Sequence, residues 1–274
     1  MLTRRTLFQS CVAASVASNP TLARAAPKAI RILVGYPAGG GIDVIARLLA
    51  DDMRGRSGGT VIVENRPGAG GRLALDATKR SDPDGSTIVL TPDFPLTVFP
   101  HLYRKLPYDP LADFTPVAVC GTSDFALSVG PAVPQEISTV EHFIRWCREN
   151  PRLALYGSPA PGSTPHFTGV LLARAASVEL THVAYKGGAQ AIQDLLGGQV
   201  PGSINPIAEV LPHVSGTRLR VLATTGQSRL ALSCQHAHPG RERFQRRGCA
   251  ELDRGSGAGW HAACRFGRAG TKCG

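Results

Sequence analysis

The chain has 274 residues, a formal net charge of +10 and 43% hydrophobic residues, enough for one large or two modest domains with an ordinary core. The charge is uneven: residues 1–25 carry three Arg and no acid, residues 26–229 carry 19 Lys+Arg against 17 Asp+Glu, and residues 230–274 carry eight against three. The near-neutral body has no electrostatic footprint for nucleic acid, and no apolar run reaches the roughly 18–20 residues of a membrane span.

Residues 1–25 read as an export signal. Arg4 and Arg5 give a positive start, Leu7 to Ala17 is weakly apolar, and Ala23-Arg24-Ala25 supplies small residues at a cleavage site. The mature chain then starts at Ala26 and is expected in the periplasm. Thr3-Arg4-Arg5-Thr6-Leu7-Phe8 is loosely like a twin-arginine signal, so both export routes stay open.

From Ile30 to Thr224 the chain alternates strand and helix. Ile30 to Tyr36 is a buried strand that stops at the turn Pro37-Ala38-Gly39-Gly40-Gly41. Ile42, Ile45, Leu48, Leu49 and Met53 then recur at helical spacing. Val61 to Val63 is a strand, Pro67 to Gly71 a second glycine turn, and a helix runs through Leu73, Leu75 and Ala77 before the strand Thr87–Leu90. This βαβαβ pattern predicts a parallel sheet. Residues 91–113 read as irregular chain with a short helix, and Pro116–Cys120 with Phe125–Val129 as successive parts of one crossing segment.

The second half repeats the pattern. Ser138 is placed at an N-cap with Glu141 three residues on, ahead of a helix that buries Val140, Phe143, Ile144 and Cys147 and stops at Asn150-Pro151. The strand Leu153–Tyr156 runs into Gly157 to Pro165, and the next helix is expected to turn Phe167, Val170 and Leu171 inward. Thr181–Tyr185 is a strand, Ala191 to Leu196 a helix closed by Gly197-Gly198, and Val200–Ile204 a strand weakened by Pro201 and Gly202. Pro206–Val214 reads as a helix with Pro at its first position, and Leu219–Thr224 as the last strand.

Residues 230–274 break this order. They hold no Ile or Val and three Leu, but eight Gly, seven Arg, four Cys and three His. No window has a period of 2 or 3.6, so no regular element is expected. The composition resembles a GC-rich gene read out of frame; the other reading is a genuine basic tail. With the frame displaced by one base, codons available for His236 through Phe244 can spell Met/Thr-Pro-Thr-Leu-Ala-Glu-Ser-Gly-Phe. The cysteines at 234, 249, 264 and 273, with Cys11, Cys120 and Cys147, form no C-x-x-C pair, which points to neither zinc nor a redox motif. No metal or cofactor is expected.

The glycine turns and their flanks carry a resemblance. The stretches are Gly35 to Asp43, Val63 to Gly71, Pro83-Asp84-Gly85, Leu106 to Asp109, and Asp113 to Val117. They continue with Tyr156-Gly157-Ser158, Gly162 to His166, Tyr185 to Gly188, and Leu195 to Val200. In this order and spacing the chain resembles the Bug-type periplasmic substrate-binding proteins of tripartite tricarboxylate transporters. The resemblance implies an α/β, two-domain periplasmic-binding-protein-like fold, each domain a mostly parallel sheet flanked by helices, with a ligand cleft between them. The expected domains are 26–122 and 123–224, with a return to the first domain from about 225. The family's Pro-Thr-Leu…Gly-Phe segment lies just past the point where this chain leaves the pattern. The implied function is delivery of a small mono- or dicarboxylate to permease subunits in the membrane, by a monomer without catalysis. The alternative is a poorly folded product of a frameshifted receptor gene.

A carboxylate needs donors and a favourable potential, and a helix start offers both. Tyr36, Pro37, Ala38, Gly39 and Gly40 form one such turn, where glycine lets the backbone approach an anion. Ser163 and Thr164, with Ser158 behind them, form an opposing turn, and Tyr185, Lys186 and Gly187 a third. Two facing turns hold a dicarboxylate, or one carboxylate between two waters. Asp43 either orients the glycine loop or touches ligand. His166 either caps its helix or faces the cleft, and Lys186 is either solvated or in the site. Asp93, beside Phe94, borders the cleft by the resemblance, and Asn205 follows the weak strand. An enzyme is the less favoured class. Val44 stands where a dinucleotide fingerprint needs its third glycine, and Ser163 with His166 lacks a G-x-S-x-G elbow.

Overall fold

Apolar strands that end in glycine turns build two sheets, each covered by the helices that follow its strands. The computed structural model describes residues 28–57, 59–214 and 218–226, and the backbone of 258–266. The expected leader with Cys11, and the tail at 230–257 and 267–274, lie outside the described residues.

The first sheet has the order β2-β1-β3-β10-β4. Strands β1 (Ile30–Val34), β2 (Val61–Asn65) and β3 (Asp84–Pro92) are parallel, as the βαβαβ pattern predicts. Helix α1 (Gly41–Ser57) connects β1 to β2 and lays Ile42, Ala46 and Ala50 on the sheet. Small Ala side chains let its axis lie close. Leu48, counted with the apolar face by spacing, is 64% exposed, because it lies beyond that narrow stripe. Helix α2 (Arg72–Lys79) follows the second glycine turn and buries Ala74 and Leu75. The irregular stretch contains two short helices, α3 (Phe94–Thr97) and α4 (Phe99–Leu102).

The chain changes sheets at Asp124. Strand β4 (Thr115–Ser123) lies at the edge of the first sheet, and β5 (Phe125–Val129) lies inside the second. Next to this crossing runs the outgoing chain: Thr225 N donates to Phe125 O at 2.9 Å, and Phe125 N to Thr225 Oγ1 at 3.0 Å.

The second sheet has the order β7-β6-β8-β5-β9. Strands β6 (Leu155–Ser158), β7 (Thr181–Ala184) and β8 (Gly202–Pro206) are parallel; β5 runs antiparallel between β8 and β9 (Arg220–Thr224). Its helices are α5 (Val140–Glu149), α6 (Thr164–Ala175), α7 (Gly188–Leu196) and α8 (Ile207–Val214). Every residue of β5 and β8 is buried, which both-face coverage requires.

Several expectations are corrected in detail. The N-cap of α5 is Thr139, whose hydroxyl accepts from His142 N, rather than Ser138, so Glu141 does not close a capping box. Leu172 is the buried leucine of α6, while Leu171 is 63% exposed. Strand β8 begins after Pro201 and ends at Pro206, so neither proline removes a hydrogen bond from its interior. Glycine at 202 gives a tight fit there: a Cβ would lie 3.0 Å from Phe143 Cζ.

The largest departure is β10 (Ala258–Phe266), in the stretch where no regular element is expected. It runs antiparallel between β3 and β4, with Ala262 opposite Leu90 and Ala118. Ladder pairing is a backbone interaction, so a segment poor in Val and Ile still fills a strand-wide gap. Beyond it β4 remains mostly exposed, with Val117 at 59% and Val119 at 56%.

The fit of α6 onto its sheet sets a testable limit. A Cβ at Gly169 would lie 2.1 Å from the Tyr156 ring, and Tyr156 is pinned by its hydroxyl bond to His166 O. Gly169→Ala is expected to destabilise the protein by about 1–3 kcal/mol. Gly55→Ala, at a helical position with nothing within 4 Å, is expected to stabilise it by roughly 0.4–1 kcal/mol. Denaturant melts of the two variants check both signs.

Candidate functional site

The turn after β1 is organised from below by one buried carboxylate. Asp43, 2% exposed, accepts from Gly39 N at 2.9 Å, Arg47 Nε at 2.8 Å and Asn65 Nδ2 at 2.8 Å. Burial alone would raise its pKa; the bonds from Arg47, Gly39 and Asn65 outweigh that and hold it below the usual range. Asn65 also donates to Tyr36 O, so the turn after β1, helix α1 and the end of β2 meet on this group. Gly39 sits at φ +83, which glycine adopts without strain. Of its two expected roles, Asp43 therefore has that of loop organiser in the structure.

Three helix starts converge on one cavity between the two sheets. The first unit contributes Tyr36, Pro37, Gly40, Gly41 and Ile42 from the α1 turn, and Pro92, Asp93 and Phe94 from the end of β3. From the second come Phe125, Pro159, Ser163 and Pro165, then Gly187 to Gln190 at the head of α7, and Pro206 and Glu209. The first-turn N–H groups of α1 and α7 have no intrahelical acceptor and carry the positive end of the dipole. The cavity has a volume of about 60 Å³, several times the roughly 10–15 Å³ that one water needs, so it suits a small molecule.

The cavity brings together Tyr36, Pro37, Gly40, Asp93, Ser163 and Gly187 of the expected site residues. Tyr36 is held by its hydroxyl bond to Gly70 O at 3.1 Å. Ser163, fully buried, caps α6 and donates to Ala160 O at 2.6 Å. The others lie off the lining. Ala38 and Gly39 are on the outer, exposed side of the turn, and Lys186 is exposed. Thr164 is the first residue of α6 and its carbonyl accepts from Thr168 Oγ1. Tyr185 points to Asp194, with a 2.8 Å hydrogen bond. Asn205 is fully buried and donates to Ser203 Oγ at 2.7 Å.

Ser158 and His166 belong to a partly buried polar cluster beside the cavity. Ser158 Oγ lies 2.7 Å from His182 Nε2, and the rings of His182 and His166 stack at 4.0 Å. His166 Nδ1 accepts from Gly162 N at 3.0 Å, which ties the ring to the turn before α6. Ser163 Oγ bonds Ala160 O, and Ser158 is fully buried, so neither serine presents an activated hydroxyl to the cavity.

Glu209 went unread in the sequence. On an amphipathic helix an acid in the first turn reads as part of a solvated face. Here it crosses the cleft: Oε1 accepts from Gly41 N at 2.7 Å. Burial raises its pKa above the usual carboxylate range, opposed by the Gly41 bond.

Residues 45–235 match the family model described as the tripartite tricarboxylate transporter family receptor. The chain belongs to this family. The receptor is 34% identical over 233 residues to the UPF0065 protein in the gbd 5'region of Cupriavidus necator, covering 84% of this chain and 70% of that protein. It is 34% identical to BugT of Bordetella pertussis over 73% of this chain and 61% of BugT, so it spans less than two thirds of that relative. Among solved structures it is similar to the periplasmic binding protein BugD, with a TM-score of 0.72 at 25% identity over 87% of this chain and 77% of that one. R. palustris Rpa4515 with adipate gives 0.72 at 29% identity over 87% and 77%. MatC from Rhodopseudomonas palustris with bound malate gives 0.70 at 25% over 88% and 79%. The fold is thus that of a two-domain periplasmic binding protein, and the family is one of solute receptors rather than enzymes.

The histidine pair makes the receptor's stability pH-dependent. Burial, and then the neighbouring His166, lowers the His182 pKa from 6.5 to about 4. Between those values the unfolded chain holds more protons, so stability falls as the pH falls through that window. The melting temperature is expected to drop between pH 6.5 and about 4. His182→Gln, which does not titrate, should flatten part of that drop. A wild-type profile that stays level there would contradict the assignment.

Proposed function

We propose that this receptor binds a small carboxylate in the cleft between its two sheets and delivers it to the permease of a tripartite tricarboxylate transporter. The observation that carries the reading is the convergence of helix starts on one small cavity, with α1 and α7 facing it from opposite sides. First-turn N–H groups that lack an intrahelical acceptor and two dipole ends make a place for an anionic group without a fixed cation. The likeness to Rpa4515, solved with adipate, and MatC, solved with malate, supports the same ligand class.

In this reading the chain is exported by residues 1–25 and acts as a monomer in the periplasm. The ligand is held mainly by backbone donors and waters. Tyr36, Pro37, Phe94 and Phe125 enclose its apolar part. Asp43 acts indirectly, by holding the glycine turn in shape. The second reading, a poorly folded product of a frameshifted gene, draws on the composition of residues 230–274 and on the exposed valines of β4.

A thermal melt of the purified chain against a panel of small mono- and dicarboxylates tests both. The receptor reading expects a cooperative melt that shifts upward with at least one acid, with stabilisation of about 2.7 kcal/mol at a hundred times Kd. A broad, non-cooperative melt favours the second reading, and a cooperative melt that no carboxylate shifts contradicts the first.

A further inference from the structure

Glu209 stands where a ligand's carboxylate is expected. It comes from α8 of the second unit and takes the N–H of Gly41, the first residue of α1, at 2.7 Å. Its other oxygen, Oε2, is buried without a hydrogen-bond partner. That oxygen rests against Gly188 at the head of α7, where a Cβ would come within 1.8 Å of it. One protein carboxylate therefore spans both helix starts. Among the described residues no Lys or Arg lines the cavity around it.

Building on the receptor reading, we propose that Glu209 is a built-in carboxylate that selects the ligand, so that the cleft takes a small monocarboxylate with an apolar body and rejects dicarboxylates. The ligand's head group is left the first-turn donors of α7 at Ala189 and Gln190, with the Gln190 amide beside them. Its body lies against Tyr36, Pro37, Phe94 and Phe125, which line the same cavity. A second carboxylate on the ligand would meet Glu209, and among the described residues no Lys or Arg lines the cavity to offset it. Like charges brought together in a desolvated site weaken binding by roughly tenfold or more. The Gly41 bond also explains why the acid is tolerated: it satisfies one oxygen and places the charge at a dipole's positive end.

The test is titration calorimetry on the purified chain with matched acids of equal chain length, pentanoate against glutarate and hexanoate against adipate. Wild-type protein is expected to bind each monocarboxylate at least about tenfold more tightly than its diacid partner. Glu209→Gln keeps the shape and removes the charge; it should shrink that preference toward unity, with a cooperative melt confirming that the variant folds. Wild-type protein that binds glutarate or adipate as tightly as the matched monoacid overturns the proposal and leaves the receptor reading standing. An unchanged preference in folded Glu209→Gln also overturns it. Binding of neither class to folded protein removes both readings together.

Discussion

Each parallel strand that feeds a helix leaves N–H groups unpaired at the head of that helix. In this molecule two sheets turn such edges toward each other, and the starts of α1 and α7 face one cavity. A space bounded by two positive dipole ends favours a negative group. Most of the local architecture follows from that constraint. Asp43 and Asn65 fix the turn that presents α1, Ser163 caps α6, and Glu209 supplies a protein charge across the gap.

The sequence showed the scaffold better than the site. Glycine turns between β-branched runs and amphipathic helices are local signals, and the parallel strands β1–β3 and β6–β8 follow from them. The glycine turns at Pro37 and Tyr185 were legible because they interrupt that pattern. Which side of each turn faces the cavity was not. Ala38, Gly39 and Lys186 are exposed, while Gly41 and Gly188, one residue further along each turn, line the space. Glu209 was invisible for a different reason. Its role depends on the distance between two units that the sequence treats as separate, and locally it is an ordinary acid in the first turn of a helix.

The strand β10 makes a related point about pattern. Its segment carries none of the β-branched residues that mark most of the other strands, yet it pairs with both β3 and β4. Side-chain periodicity is informative where a face must be buried. A ladder position between two existing strands asks first for backbone donors and acceptors, and the sequence pattern records little of that.

The facing helix starts are the proposed anion site. A crystal structure of the receptor with the tightest-binding small carboxylate tests it most directly. The ligand's carboxylate is expected at the first turn of α7, with its body against Tyr36 and Phe125 and Glu209 still bonded to Gly41 N. A carboxylate bound away from both helix starts, or held by a Lys or Arg side chain instead of backbone N–H groups, would contradict it.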